Sequence, residues 1–221
     1  VNVSNQDFLR AKLNEEQFAN LEAKLESVAQ SPKNIIRIFP SAAREIARGP
    51  ADANDPAGIA GPTIDDAVRA ALLVRYAESF PENLAQEIRA LYEYGDTEEK
   101  RAILRALDQL PAGAEPHFLV QDALRTNDRR LIAAAMGTWS QHNLPEEEWR
   151  QGILKCLFVG VSLDAIPGCE SRNDRQMARM AAGYAHELLL AGRSIPSDIR
   201  ALVEPYADVV EDYPELTMSD L

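Results

Sequence analysis

Three histidines, His117, His142 and His186, and two cysteines, Cys156 and Cys169, are the side chains of this sequence best suited to hold a metal or to act as nucleophile and base near neutral pH. A zinc centre needs such ligands to converge. None of them stands at the His-x-x-His or Cys-x-x-Cys spacing that arranges ligands on one turn, so the spacing predicts no metal centre and no cofactor. Cys156 falls on an apolar stripe with Trp149 and Ile153, where a thiol packs as a small core residue rather than reacting with His142 as its base. Asp65 with Asp66, Glu98 with Glu99, and Glu146 to Glu148 have the look of paired carboxylates for acid/base work. Each group, however, lies in the first turn of a predicted helix, where negative charge complements the free N–H groups and the macrodipole. Phosphate-cradling GxxxxGK[ST], dinucleotide GxGxxG, HExxH, GxSxG and EF-hand patterns are absent from the sequence. No catalytic residue is assigned, and an enzyme with an unrecognised site stands as the alternative to a binding protein.

Two polar stretches offer binding chemistry instead. Asp122 to Leu131 (DALRTNDRRL) reads as a helix end, a turn and a new helix crowded with charged and amide groups. Trp149 to Val161 (WRQGILKCLFVGV) places Gln151 and Lys155 on one helical face at i and i+4. If successive helical hairpins stack, Arg125, Asn127 and Arg129 stand beside Gln151 or Lys155. The cations would then hold an anionic or polar metabolite, with Trp149 or Trp139 as a flat apolar wall. The structural alternative is that Arg125 pairs with Asp122 or Asp128 and that Asn127 or Asp128 only caps a helix.

The elements that must position these residues are helical. The chain has 221 residues, 46% of them hydrophobic, and only two cysteines, which excludes a mostly disordered chain and a disulfide scaffold. Its net charge of −12 opposes a nucleic-acid partner. The most apolar stretch, Ile153 to Val161, is too short to span a bilayer, so the expectation is a cytoplasmic protein with reduced thiols that is not membrane-inserted.

Apolar residues recur at steps of three and four almost throughout, which predicts an all-α fold. The first helix is expected over Asn5 to Ala29 and a second over Asn34 to Ala47. Residues 49–62 contain three Pro and three Gly and read as an irregular connection. Further helices follow at about 63–76, 82–94, 96–110, 116–126, 128–139, 144–159, 173–191 and 197–203. Thr63/Asp66 and Asp96/Glu99 carry capping-box spacing, and Gly95 is expected in a left-handed C-terminal position. The short links predict a single domain over 1–221, an irregular right-handed stack of antiparallel hairpins like a HEAT solenoid, with a compact helical bundle as the competing architecture. Residues 204–221 form an acidic tail with Tyr206, Val209, Val210 and Tyr213 as anchors, either a solvated end or a docking peptide for a basic partner.

Three blocks, YGDTEEKRAILRALDQLP, DALRTNDRRLIAAAMG and WRQGILKCLFVGVSLDAIPG, resemble the EboA family of bacterial proteins in order and separation, over roughly residues 63–203. Members are encoded beside proteins resembling a prenyltransferase, a sugar-phosphate cyclase and a TatD-type metal hydrolase. The resemblance implies a part in making or moving a small metabolite toward the periplasm, as proposed for the scytonemin precursor in cyanobacteria, with that metabolite or other proteins of the pathway as partners. It supplies no catalytic residues. Ser162 stands where the family pattern has Pro, and Cys169 where it has Leu. Arg125, Asn127, Asp128, Trp149, Gln151 and Lys155 match the blocks and, with Arg129, make up the expected ligand or partner surface.

Overall fold

The computed structural model describes residues 5–111 and 114–221. Among these, every regular element is helical: α1 (Asn5–Lys12), α2 (Glu15–Gln30), α3 (Lys33–Glu45), α4 (Ile64–Ser79), α5 (Leu84–Tyr94), α6 (Thr97–Ala106), α7 (Pro116–Leu124), α8 (Arg129–Ala135), α9 (Thr138–Asn143), α10 (Glu146–Val159), α11 (Arg175–Leu190) and α12 (Asp198–Val203). Short 3-10 turns join several of them, and a longer one, Glu204–Asp212, opens the acidic tail.

Two expected helices are each divided by local chemistry. The segment over Asn5 to Ala29 breaks because Asn14 leaves the helical backbone and caps α2, its side chain accepting from the Gln17 N–H while Gln17 returns the bond. The segment from Asp128 to Trp139 breaks at Gly137, which stands in extended backbone as the cap of α9. The capping boxes at Thr63/Asp66 and Asp96/Glu99 form as the spacing predicts. Gly95 differs from expectation. Its φ of −73° is not left-handed. A Cβ there would lie 2.5 Å from the Leu91 carbonyl, so lack of space, not backbone handedness, calls for glycine.

Helix α4 occupies the centre of the N-terminal half, packed by α1, α2, α3 and α6. It buries Val68, Leu72, Leu73 and Tyr76 almost completely. From there α6 packs on α4, α8 on α6, and α10 on α8, with α5 against α6, α7 against α8 and α11 against α10. The tail does not float free: Val209 is buried, Tyr213 donates to the Arg179 carbonyl, and Asp208 and Asp212 pair with Arg175 and Arg179 of α11.

The α4–α6 contact contains charge. Arg101 is only 2% exposed. Its Nε donates to both carboxylate oxygens of Asp66 at 3.0 and 2.9 Å, its Nη2 to the Thr63 hydroxyl at 3.0 Å, and its Nη1 pairs with Glu98. Burial opposes the guanidinium charge, but the Asp66 hydrogen bonds and the charges of Asp66, Glu98 and Asp65 more than offset it and raise the Arg101 pKa. Asp66 therefore caps α4 and neutralises α6 at once. Residues 49–62 are irregular but tied down. The Asp55 carboxylate accepts from the N–H groups of Ile59, Ala60 and Gly61, and Lys12 donates to the Ala51 carbonyl.

Candidate functional site

The two polar stretches meet. Asp128 caps α8, its carboxylate accepting from the Arg130 N–H at 2.9 Å, which leaves the Asn127 side chain free to reach across the turn. Lys155 of α10 donates to Asn127 Oδ1 at 2.8 Å. Arg129, in the first turn of α8, donates to the carbonyl of Gly160, where a φ of 74° lets glycine close the C-terminus of α10. A cation thus sits on the negative end of the α10 dipole. Phe158, 60% exposed, lies beside Lys155 with its ring centroid 5.6 Å from Nζ.

The other residues of the expected surface occupy different settings. Arg125 is exposed at the end of α7, and among the described residues its side chain has neither ion pair nor hydrogen bond. The Asp128 carboxylate belongs to Arg130, which also pairs with Glu98. Burial pushes Asp128 up, but the Arg130 hydrogen bonds hold it below the usual carboxylate range. Gln151 is exposed on α10, four residues from Lys155. Trp149 is 1% exposed and covered by the Arg172 guanidinium, 4.6 Å from its ring, so it supports α10 from inside. Gly152 completes that support. A Cβ there would lie 2.3 Å from the Met136 sulfur, so any larger residue would have to displace the end of that buried side chain.

The three histidines occupy separate settings. His117 bonds Glu148 at 2.7 Å, His186 packs on Tyr213, and His142 is exposed near the end of α9. Cys156 is fully buried, and desolvation pushes its thiol up to about 12. Desolvation likewise pushes Cys169 up to about 11. Neither is a thiolate at neutral pH. Among the described residues no three His, Cys, Asp or Glu side chains are grouped as metal ligands.

A second feature escaped sequence reasoning: a hollow of about 840 Å³ lined by residues of α1, α4, α6, α8 and α9 and of the loops before α4 and after α10. Arg105 and Trp139 are on its wall. A signal was present in RAILRAL, where α6 is apolar on nearly every side of Arg101 and Arg105. A helix with no solvent face has nowhere to expose two arginines. What hid it was the reading of Asp65 and Asp66 as helix-end charges alone.

The profile of the EboA family, described as "Metabolite traffic protein EboA", matches residues 59–204, which contain the Asn127–Lys155 corner and most of the hollow. No curated protein and no solved structure matches the chain. Among the described residues no helix is long and apolar enough to cross a membrane. The chain belongs to the EboA family of metabolite traffic proteins.

Proposed function

We propose that this chain is a non-catalytic binding or adaptor protein, handling a secondary-metabolite precursor or a partner enzyme on its way toward the periplasm. The contact surface in this reading is Arg125, Asn127, Asp128, Arg129, Gln151 and Lys155, held from within by Trp149. The observation that carries it is the 2.8 Å bond from Lys155 to Asn127, which joins two separate family blocks at one corner. Two residues before Asn127, Arg125 offers a cation with no partner among the described residues, on a protein whose net charge is −12. An exposed guanidinium with no internal partner is free to form charge-assisted hydrogen bonds with an outside carboxylate or phosphate. The packing order α4, α6, α8, α10, each flanked by its hairpin partner, supports an irregular stack of antiparallel hairpins that presents successive turns along one edge.

The test is alanine replacement at Arg125 and Lys155, with small molecules and pathway proteins captured from producing cells and the urea midpoint measured in parallel. The expected result is loss of capture with a nearly unchanged midpoint. A large loss of stability with intact capture assigns both residues to structure and ends the proposal.

A further inference from the structure

We propose that the hollow between α1, α4, α6 and α9 binds a small organic carboxylate, with Arg105 as its counter-charge and Trp139 and Phe8 as the surface for its apolar body. This rests on the reading of the chain as a binding protein and adds to it the class of small molecule.

Arg101 and Arg105 lie one helical turn apart and are treated differently by the fold. Arg101 is surrounded by Asp66, Asp65 and Glu98. Arg105 has no carboxylate within ion-pair distance among the described residues. Its Nη2 is spent on the carbonyls of Gly58 and Ile59, at 2.9 and 2.5 Å. Among the described residues its Nη1 makes no hydrogen bond and its Nε is buried without an acceptor. Desolvation lowers the Arg105 pKa against the pull of Asp66, Asp55 and Asp108, yet a guanidinium stays protonated throughout the ordinary pH range. A half-buried cation without a hydrogen-bonded counter-charge is costly, and an anion in the adjoining hollow relieves that cost.

The surroundings narrow the anion. Asp66, also on the wall, is already neutralised by Arg101, whereas Asp108 and Asp164 add two further carboxylates. A dianion such as phosphate meets that field unfavourably, and a single carboxylate suits one guanidinium. Trp139 and Phe8 are partly buried against the core, and Leu104 and Pro62 extend the apolar wall. A volume of about 840 Å³ falls within the range of small-molecule sites.

Benzoate is the probe, with benzamide, benzylamine and inorganic phosphate as controls, read by thermal melting of the full chain. Benzoate is expected to raise the melting temperature by about 3 °C at ten times its Kd, while the three controls leave it unchanged. Arg105→Gln is expected to abolish the shift, but it also removes a tie to residues 58 and 59. Gly61→Leu therefore serves as the second variant. Gly61 lines the hollow and a Cβ there has no atom within 4 Å, so the added side chain starts in open space, and an unchanged melting temperature without benzoate checks that the fold is intact. This variant too is expected to abolish the shift. Equal shifts by benzoate and benzamide, a benzoate shift that survives Gly61→Leu, or no shift in the native chain each overturn the proposal. Because the capture assay at Arg125 and Lys155 does not involve the hollow, its result separates failure of this site from failure of the binding-protein reading.

Discussion

The Asp66–Arg101 knot and the Asn127–Lys155 corner each use a cation from one helix to hold a neighbouring element, but the solvent around them differs completely. Asp66 and Arg101 are 0% and 2% exposed and share two hydrogen bonds. Lys155 and Asn127 meet in water. Removing one partner from a buried pair strands the other charge, whereas removing an exposed partner returns the other to solvent. The first site is therefore committed to the fold, and the second is free to serve another molecule.

The largest effect should come from breaking the buried knot. Asp66→Ala leaves Arg101 without its two-oxygen partner and α4 without half its capping box. A destabilisation of about 3–5 kcal/mol is expected from the urea midpoint. A loss under about 1 kcal/mol would place the knot with ordinary surface pairs and erase the contrast. Gly152→Ala should follow, at about 1–3 kcal/mol, since its methyl group meets the buried Met136 side chain, which must repack between α8 and α10. This change reaches the corner only through packing, so a tight local loss of the Lys155–Asn127 contact with little loss elsewhere would show how far the corner depends on the core.

Acid should discriminate next. Burial pushes Asp55 up, but the N–H groups of Ile59, Gly61 and Ala60 hold its carboxyl below the ordinary value of about 3.9. A folded-state pKa below the unfolded one contributes stability that is complete above pH ~4 and is lost as the pH falls through the lower folded value. Urea midpoints measured from pH 6 downward should therefore fall below pH ~4, and less steeply in Asp55→Asn. Identical slopes would mean that the loop before α4 is not held by this carboxylate. The smallest effect is expected at the corner: Lys155→Ala should change stability by no more than about 0.5 kcal/mol.

Much of the fold was legible because caps and apolar periodicity are local. Thr63 with Asp66, Asp96 with Glu99 and Pro116 opening α7 all act within a few residues of their own position. The breaks at Asn14 and Gly137 were harder. An apolar stripe continues across both, and only the side chain of Asn14 and the extended backbone of Gly137 reveal that the helix does not. At the corner, the sequence identified the two stretches that meet but not the division of labour between neighbours, with Asp128 turned inward to Arg130 and Asn127 outward to Lys155. The hollow was the least legible. Its wall is drawn from residues between Asn5 and Pro167, and no local rule connects Phe8 to Trp139 across that separation.

The central claim is that the chain retains a molecule without converting it. Equilibrium dialysis of the purified protein against a metabolite extract of producing cells, followed by mass spectrometry of both chambers over time, tests this directly. The account predicts one compound enriched on the protein side, in proportion to protein and with its mass unchanged, and that enrichment lost in Arg125→Ala. Steady disappearance of a compound with a new product growing in both chambers, or no enrichment at all, would contradict it.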